Sequence, residues 1–412
     1  MIALHRVAVT GLGVVTPLGI GIDAFWESVL AERVAVAPIS RFAVDGYRSV
    51  LAAQVDDFVP ADFLSAKRLR WTDRFAQFAI AAARLALADA ALDPARVPGE
   101  VAVSLGSALS GVAYADEQHD VFRAHGIDAV KPLLALSVFG GSAPCNVALE
   151  FDLRGPVLAN GNSCAAGAVA IGEAFRAIAR GDVRAALAGG VEAPLSPLVY
   201  GAFTVNRAMS TRNDDPTHAS RPFDRARDGF VMAEGAGVLM LERLEDARAR
   251  GARVYAELAG YGLTNDAYHM SAPRPDGSAN ARAMHTALAE AQVAPDQVDL
   301  VNAHGSATVL GDACEALAVR QVLGAHADAV PVTATKGQHA HALGATGAWE
   351  AALACRTIVE GIIPRSVNAD DLDPACALAV TQTALTRPVR TVLSNSAGFG
   401  GINAALVMRA VD

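Results

Sequence analysis

The stretch NGNSCAAGAVAIGEAFRAIARG, residues 160 to 181, sets Cys164 between a polar turn and an Ala-rich run with small and apolar residues at helical spacing. The residues before it have the pattern of a short strand. A thiol at a strand-to-helix junction feels the partial positive charge of the unpaired N–H groups of the first turn, which favours thiolate and makes a nucleophile. The same amides are placed to bind a developing oxyanion. The other cysteines, Cys145, Cys314, Cys355 and Cys376, read as structural thiols, and all but Cys376 fall within helical patterns. An odd number of cysteines without CxxC spacing points to free thiols in a reducing, cytoplasmic compartment.

Two histidines stand in comparable settings. His304 ends the strand pattern VDLVNAHG, at the tip where loops of α/β folds meet ligands. His341 lies in TKGQHAHALGATG, five residues beyond Lys336. A neutral imidazole there can donate a hydrogen bond to a thioester carbonyl and stabilise an enolate. His339 and His341 also form an HxH pair, so a metal site is the rival reading, although that loop offers no obvious third ligand. TGLGVVTPLG has GxG after a strand but lacks the third glycine and helix opening of a dinucleotide site. No Walker A loop, GxSxG elbow or HExxH occurs.

The elements that must position these groups alternate between helix and strand along the whole chain, which predicts an α/β architecture with buried, largely parallel strands running into Gly-rich loops. A repeat sits inside the alternation. Residues 86 to 108 (ALADAALDPARVPGEVAVSLGSA) and 287 to 307 (ALAEAQVAPDQVDLVNAHGSA) share a helix end, a Pro turn, a strand and Gly-Ser-Ala. Two related halves follow, 1–251 and 252–412, with the boundary near EDARARGARVYAE. A second correspondence pairs GAVAIGE (167 to 173) with GATGAWE (344 to 350), which sets the Cys164 loop against the Lys336-to-His341 loop across a pseudo-twofold.

Composition is consistent with this. The chain has 412 residues, 52% apolar and 19% charged, enough for a large buried core. A net charge of −9 argues against nucleic acid or an anionic membrane as the main partner. The apolar N-terminus is broken early by Gly and Pro and reads as strand and turn, not a signal peptide. The longest uncharged stretch holds Pro156, Asn160, Asn162 and Ser163, so no transmembrane span is expected.

With NSCAAG, NAHGSATVLGDACE, TATKGQHAHALGATG and SNSAGFGGIN in that order, and RPFDRARDGFVMAEGAGVLMLE and STRND between them, the chain resembles the β-ketoacyl-acyl-carrier-protein synthases over essentially its whole length. The resemblance implies a thiolase-like fold, two pseudo-symmetric halves in a five-layered αβαβα arrangement, assembled as a homodimer or as a heterodimer with a related ketosynthase chain. It implies a decarboxylative Claisen condensation in fatty acid, polyene or polyketide synthesis, with acyl carrier protein bearing phosphopantetheine as partner and no cofactor or metal. Cys164 would take the acyl group. His304 and His341 would bind the malonyl thioester, and Lys336 and Glu315 would form a supporting ion pair in a network with Asp312. The Cys164 and Phe399 amides would make the oxyanion hole, with the Phe399 ring as gate. Ser306 and Thr308 would bind pantetheine, and Ala108, Leu109 and Phe203 would line the acyl pocket.

Asn162-Ser163 stands where the family has Thr-Ala, Lys336-Gly337-Gln338-His339-Ala340-His341 replaces K-S-x-x-G-H, and Ser306, Ala397 and Ile402 also depart from its usual residues. None removes a catalytic group. A thiolase would need a second cysteine in SNSAGFGGIN. The coenzyme-A-primed synthases have Asn where His341 stands. A non-catalytic chain-length partner normally lacks the nucleophile, and a metal-dependent hydrolase would use the HxH pair.

Overall fold

A computed structural model describes residues 4–97 and 101–412. Ten strands carry the fold: β1 (Val7–Thr16), β2 (Ala102–Gly106), β3 (Val157–Asn160), β4 (Ala185–Glu192), β5 (Gly235–Arg243), β6 (Ala256–Asn265), β7 (Leu300–Asn302), β8 (Val332–Thr333), β9 (Thr391–Gly398) and β10 (Ile402–Arg409). They run β8-β7-β9-β10-β6-β1-β5-β4-β2-β3, with Gly19–Ile20 paired to the end of β1. The halves β3-β2-β4-β5-β1 and β8-β7-β9-β10-β6 have the same pattern. The outer three strands of each are parallel and the inner ones antiparallel. They meet where β1 pairs antiparallel with β6 at Val7↔Leu258, Ala8↔Glu257 and Val9↔Ala256. The expectation of largely parallel strands is therefore corrected. Antiparallel strands sandwiched between helices are buried on both faces and give the same continuous apolar runs.

Six helices complete the layers: α1 (Arg74–Asp89), α2 (Ser142–Phe151), α3 (Ala166–Arg180), α4 (Ser278–Ala291), α5 (Val309–Leu323) and α6 (Thr346–Glu360). α1 lies on the outside of the first half-sheet with α2 against it, and α4 on the outside of the second with α5 against it; α3 and α6 lie between, touching both half-sheets. This is the thiolase-like αβαβα stack. Three apolar cores fill it, the central one around Ile171, Tyr261 and Trp349 and the outer ones around Phe78 and Met284. Among the described residues no helix is long and apolar enough to cross a membrane.

The repeat read at 86–108 and 287–307 is one structural unit used twice: the ends of α1 and α4, the turns Pro94–Arg96 and Pro295–Gln297, then β2 and β7. Residues 98–100 lie outside the described residues. β1 and β6 each carry a bulge, at Val9/Gly11 and at Leu258/Gly260. Beyond it, a Cβ on Gly13 would fall 1.9 Å from the Ala82 carbonyl, and one on Gly262 would fall 1.9 Å from that of Ala283. The helices rest on bare backbone at both places.

The second correspondence pairs the right elements in a different register. Ser163–Ala165 with α3 matches Leu343–Ala345 with α6, so Cys164 corresponds to Gly344 and Gly167 to Gly347. The sequence match set Gly167 on Gly344, three residues away, because glycine recurs within one turn of an Ala-rich background.

Candidate active site

Cys164 sits in a single 3-10 turn that runs into α3. The turn is tight: Ser163 has φ of 52°, a strained value for a residue with a side chain. Asn160 at the end of β3 braces it, its Oδ1 accepting from the Asn162 N–H at 3.2 Å and its Nδ2 donating to the Ala166 carbonyl at 3.1 Å. Gly398 at the end of β9 lies so close that a Cβ there would be 3.0 Å from the Cys164 nitrogen. The Phe399 N–H faces the sulfur. Burial pushes the Cys164 thiol up to about 11, against the pull of the Ser163 hydroxyl. Burial thus opposes the thiolate that the amides at the start of α3 favour.

His304 follows β7, and its main chain is held on both sides. Its carbonyl accepts from Lys336 Nζ, while its N–H and that of Gly305 donate to Glu315 at 2.7 and 2.8 Å. Glu315 also accepts from Asn395 at 2.6 Å. The buried ion pair is Lys336 with Glu350, not Lys336 with Glu315. Glu350 lies on α6 one turn past Thr346 and meets the ammonium directly, while both Glu315 oxygens are taken by amides. Asp312 accepts from the Phe223 N–H at 2.7 Å and from the Ser306 hydroxyl at 3.5 Å.

His341 is locked between Val231 and Ala233 by backbone hydrogen bonds, and its Nδ1 meets the Thr346 hydroxyl at 3.0 Å. The His304 and His341 rings stand edge to face, centroids 5.2 Å apart. Burial, seconded by the Lys336 ammonium, holds both well below the ordinary imidazole value. They are neutral donors. His339 turns the other way, its nitrogens engaged by Thr335 and the Ala340 carbonyl and its ring packed on Phe25 and Trp349. The HxH pair therefore does not converge on one point. Among the described residues no three His, Cys, Asp or Glu side chains group so as to hold a metal ion.

One cavity of about 280 Å³ brings together Cys164, His304, His341, Phe399, Phe203, Ser306 and Thr308. The Ser306 and Thr308 hydroxyls lie 2.9 Å apart, and Thr308 caps α5. The Phe399 ring stacks on Phe203 at 6.4 Å, and Phe203 meets Phe230 edge-on. Ala108 and Leu109 share an apolar cluster with Cys164 and Phe203 but do not line the cavity. Besides Glu350, the sequence reading missed Glu192, wholly buried at the end of β4. A carboxylate closing the otherwise apolar AALAGGV was the signal for it.

The family model for the β-ketoacyl synthase N-terminal domain matches residues 4–247, and that for the C-terminal domain residues 255–370. The chain belongs to the β-ketoacyl synthase family. It is similar to the 3-oxoacyl-[acyl-carrier-protein] synthase 2 of Coxiella burnetii, 40% identical over 410 residues with 99% of each chain covered. The protein of the same name from Synechocystis is 39% identical over 98% of both chains. Among solved structures, the ketosynthase of a type II polyketide complex with its acyl-carrier protein superposes with a TM-score of 0.90 at 36% identity, covering 99% of this chain and 100% of that one. A β-ketoacyl synthase from Burkholderia phymatum gives 0.91 at 34%, with the same coverage.

Proposed function

We propose that the chain condenses an acyl group held on Cys164 with the enolate of a malonyl thioester, both delivered on the phosphopantetheine arm of an acyl carrier protein. The observation that carries this is the single cavity in which one cysteine faces two neutral imidazoles, with paired hydroxyls beside them. The pantetheine arm enters past Ser306 and Thr308. The Cys164 sulfur attacks the acyl thioester, its proton leaves with the pantetheine thiol, and the acyl group stays on the enzyme. Malonyl thioester then loses CO₂, and the N–H groups of His304 and His341 hold the enolate oxygen that appears. The enolate carbon attacks the acyl carbonyl, whose oxyanion the Cys164 and Phe399 amides receive. Collapse expels the cysteine sulfur and yields the β-ketoacyl product.

Lys336, paired with Glu350, and Glu315 act by fixing the His304 main chain. Phe399, stacked on Phe203, gates the acyl side, with Ala108 and Leu109 behind it. The two halves divide near residue 251 and contribute the cysteine and the histidines respectively. The enzyme works in the cytoplasm as a homodimer or with a related ketosynthase chain. Solved relatives include a ketosynthase with its acyl-carrier protein and a ketosynthase/chain length factor pair. The test is intact-mass measurement after incubation with a panel of acyl carrier proteins. Retention of an acyl group on Cys164, removed by malonyl carrier protein with release of CO₂, is expected. Acylation at another residue, or none with any carrier, refutes the reading.

A further inference from the structure

No step of that reaction uses Glu192, yet its carboxylate gathers four donors from two separate segments. Oε1 accepts from the Ser107 hydroxyl at 2.9 Å and the Leu109 N–H at 3.0 Å. Oε2 accepts from the Ala108 N–H at 2.7 Å and the Gly344 N–H at 3.0 Å. Gly344 holds in the second half the place that Cys164 holds in the first. The strand ends match as well, Glu192 closing β4 where Gly398 closes β9. At Cys164 the strand end offers a bare glycine and leaves room for a substrate oxygen. At Gly344 the equivalent amide is taken by an oxygen of the protein itself.

The contact is tight and has a direction. A Cβ on Gly344 would lie 2.8 Å from both Glu192 Oε2 and the Ala108 nitrogen. Gly344 is the centre of the turn Leu343–Ala345 that joins His341 to Thr346, and Thr346 is the residue whose hydroxyl meets His341 Nδ1. Holding the Gly344 amide therefore holds the turn, the threonine hydroxyl and the imidazole in sequence. Four donors converging on two oxygens require a group that only accepts, and a carboxylate satisfies all of them.

We propose that Glu192 is a positioning residue of the decarboxylating half-reaction: it fills the pseudo-symmetric counterpart of the oxyanion hole and, through Gly344, sets His341 against the malonyl thioester. The proposal rests on the ketosynthase reading and adds a group to it. Glu192→Gln keeps the shape but turns an NH₂ toward backbone N–H groups, leaving buried donors unsatisfied.

The full-length wild type, Glu192→Gln and Glu192→Ala are compared in two assays. One is transfer of an acyl group from acyl carrier protein to Cys164, read by intact mass. The other is CO₂ release from malonyl carrier protein by enzyme already acylated. Glu192→Gln should lower CO₂ release by about 10²-fold, the scale on which a small misplacement of a catalytic group is felt, and acylation far less. In Glu192→Ala, added formate supplies the missing oxygens and should raise CO₂ release where chloride does not. Unchanged CO₂ release, or equal losses in both assays, overturns the role of Glu192. If the Gln variant does not fold, the absence of a formate-dependent gain in Glu192→Ala overturns it instead. A wild type that neither takes an acyl group nor releases CO₂ overturns the ketosynthase reading, and the role of Glu192 with it.

Discussion

The turns at Cys164 and at Gly344 are nearly the same backbone put to different ends. Asn162 and Ala342 precede them with φ, ψ of −80°, 40° and −85°, 38°. Ser163 and Leu343 follow with φ of 52° and 43°. Each turn then opens a helix of fifteen residues. Both turns reach the cavity, through Cys164 and Leu343, but the amide at the centre of the second is sealed by Glu192. The folding problem was solved once and used twice, and the two copies diverged in what faces the amide: a glycine beside the nucleophile, a carboxylate beside its counterpart. A strained turn is thus compatible with carrying the reacting group or with positioning one, and the residue at the neighbouring strand end separates the two.

The largest test of that division removes the sulfur. Cys164→Ala should abolish acyl-enzyme formation and lower condensation by on the order of 10⁴-fold or more, as loss of a covalent nucleophile does. Adding Gly344→Cys in the same chain should restore nothing. An acyl group found at 344 by mass would erase the distinction between the turns.

Next come the imidazoles. His304→Ala or His341→Ala should reduce malonyl decarboxylation by about 10²-fold, the usual scale for an oxyanion donor, while Cys164 is still acylated. Decarboxylation that survives both changes would assign that step to another group.

The glycines sharpen the comparison at smaller scale. Gly398→Ala sets a methyl 3.0 Å from the Cys164 amide and should cost acyl transfer about tenfold with little change in melting temperature. Gly344→Ala presses on Glu192 and should cost stability, about 1–3 kcal/mol, as overpacking does. Parallel measurements of kcat/KM and Tm decide it, and a stability loss at 398 equal to that at 344 would show both turns to be structural.

The smallest effect concerns pH. Because burial pushes the Cys164 thiol up to about 11, alkylation by iodoacetamide should climb about tenfold per pH unit through pH 9 without a plateau. A plateau near pH 7 would mean that the helix amides win after all. His304 and His341, held neutral in the fold, bind fewer protons than their unfolded counterparts. Their contribution to stability is therefore present above about pH 6.5 and lost as pH falls below it.

Much of this was legible because chemistry and punctuation coincide. Cys164, His304 and His341 each sit where a strand pattern breaks into glycine, and the 86–108 repeat shows the doubling. What was not legible depends on distances through the fold. Nothing local makes Glu350 rather than Glu315 the partner of Lys336, because both are acids on helices and only the layer packing brings α6 to the ammonium. The register of the second repeat was blurred by alanine and glycine, which carry little positional information. The state of the Cys164 thiol depends on how much water the surrounding chain removes, and no spacing reports that. Glu192 was visible as a charge at the end of an apolar strand, but its meaning needed the superposition of the halves.

The position of β9 in the sheet has a consequence for when the enzyme becomes competent. β9 and β10 are the last strands made, yet β9 lies between β7 and β10 inside the sheet, and it delivers Gly398 and Phe399 to the thiol. The nucleophile is synthesised more than 200 residues before the amide that completes its hole. A growing chain therefore carries Cys164 through most of its synthesis as an ordinary thiol. Closing the sheet around a late, sequence-distant strand is also the step that topology makes slow. Capture of the first acyl group becomes a signal that the carboxyl end has been threaded home, and a chain ended before Thr391 should take none by mass.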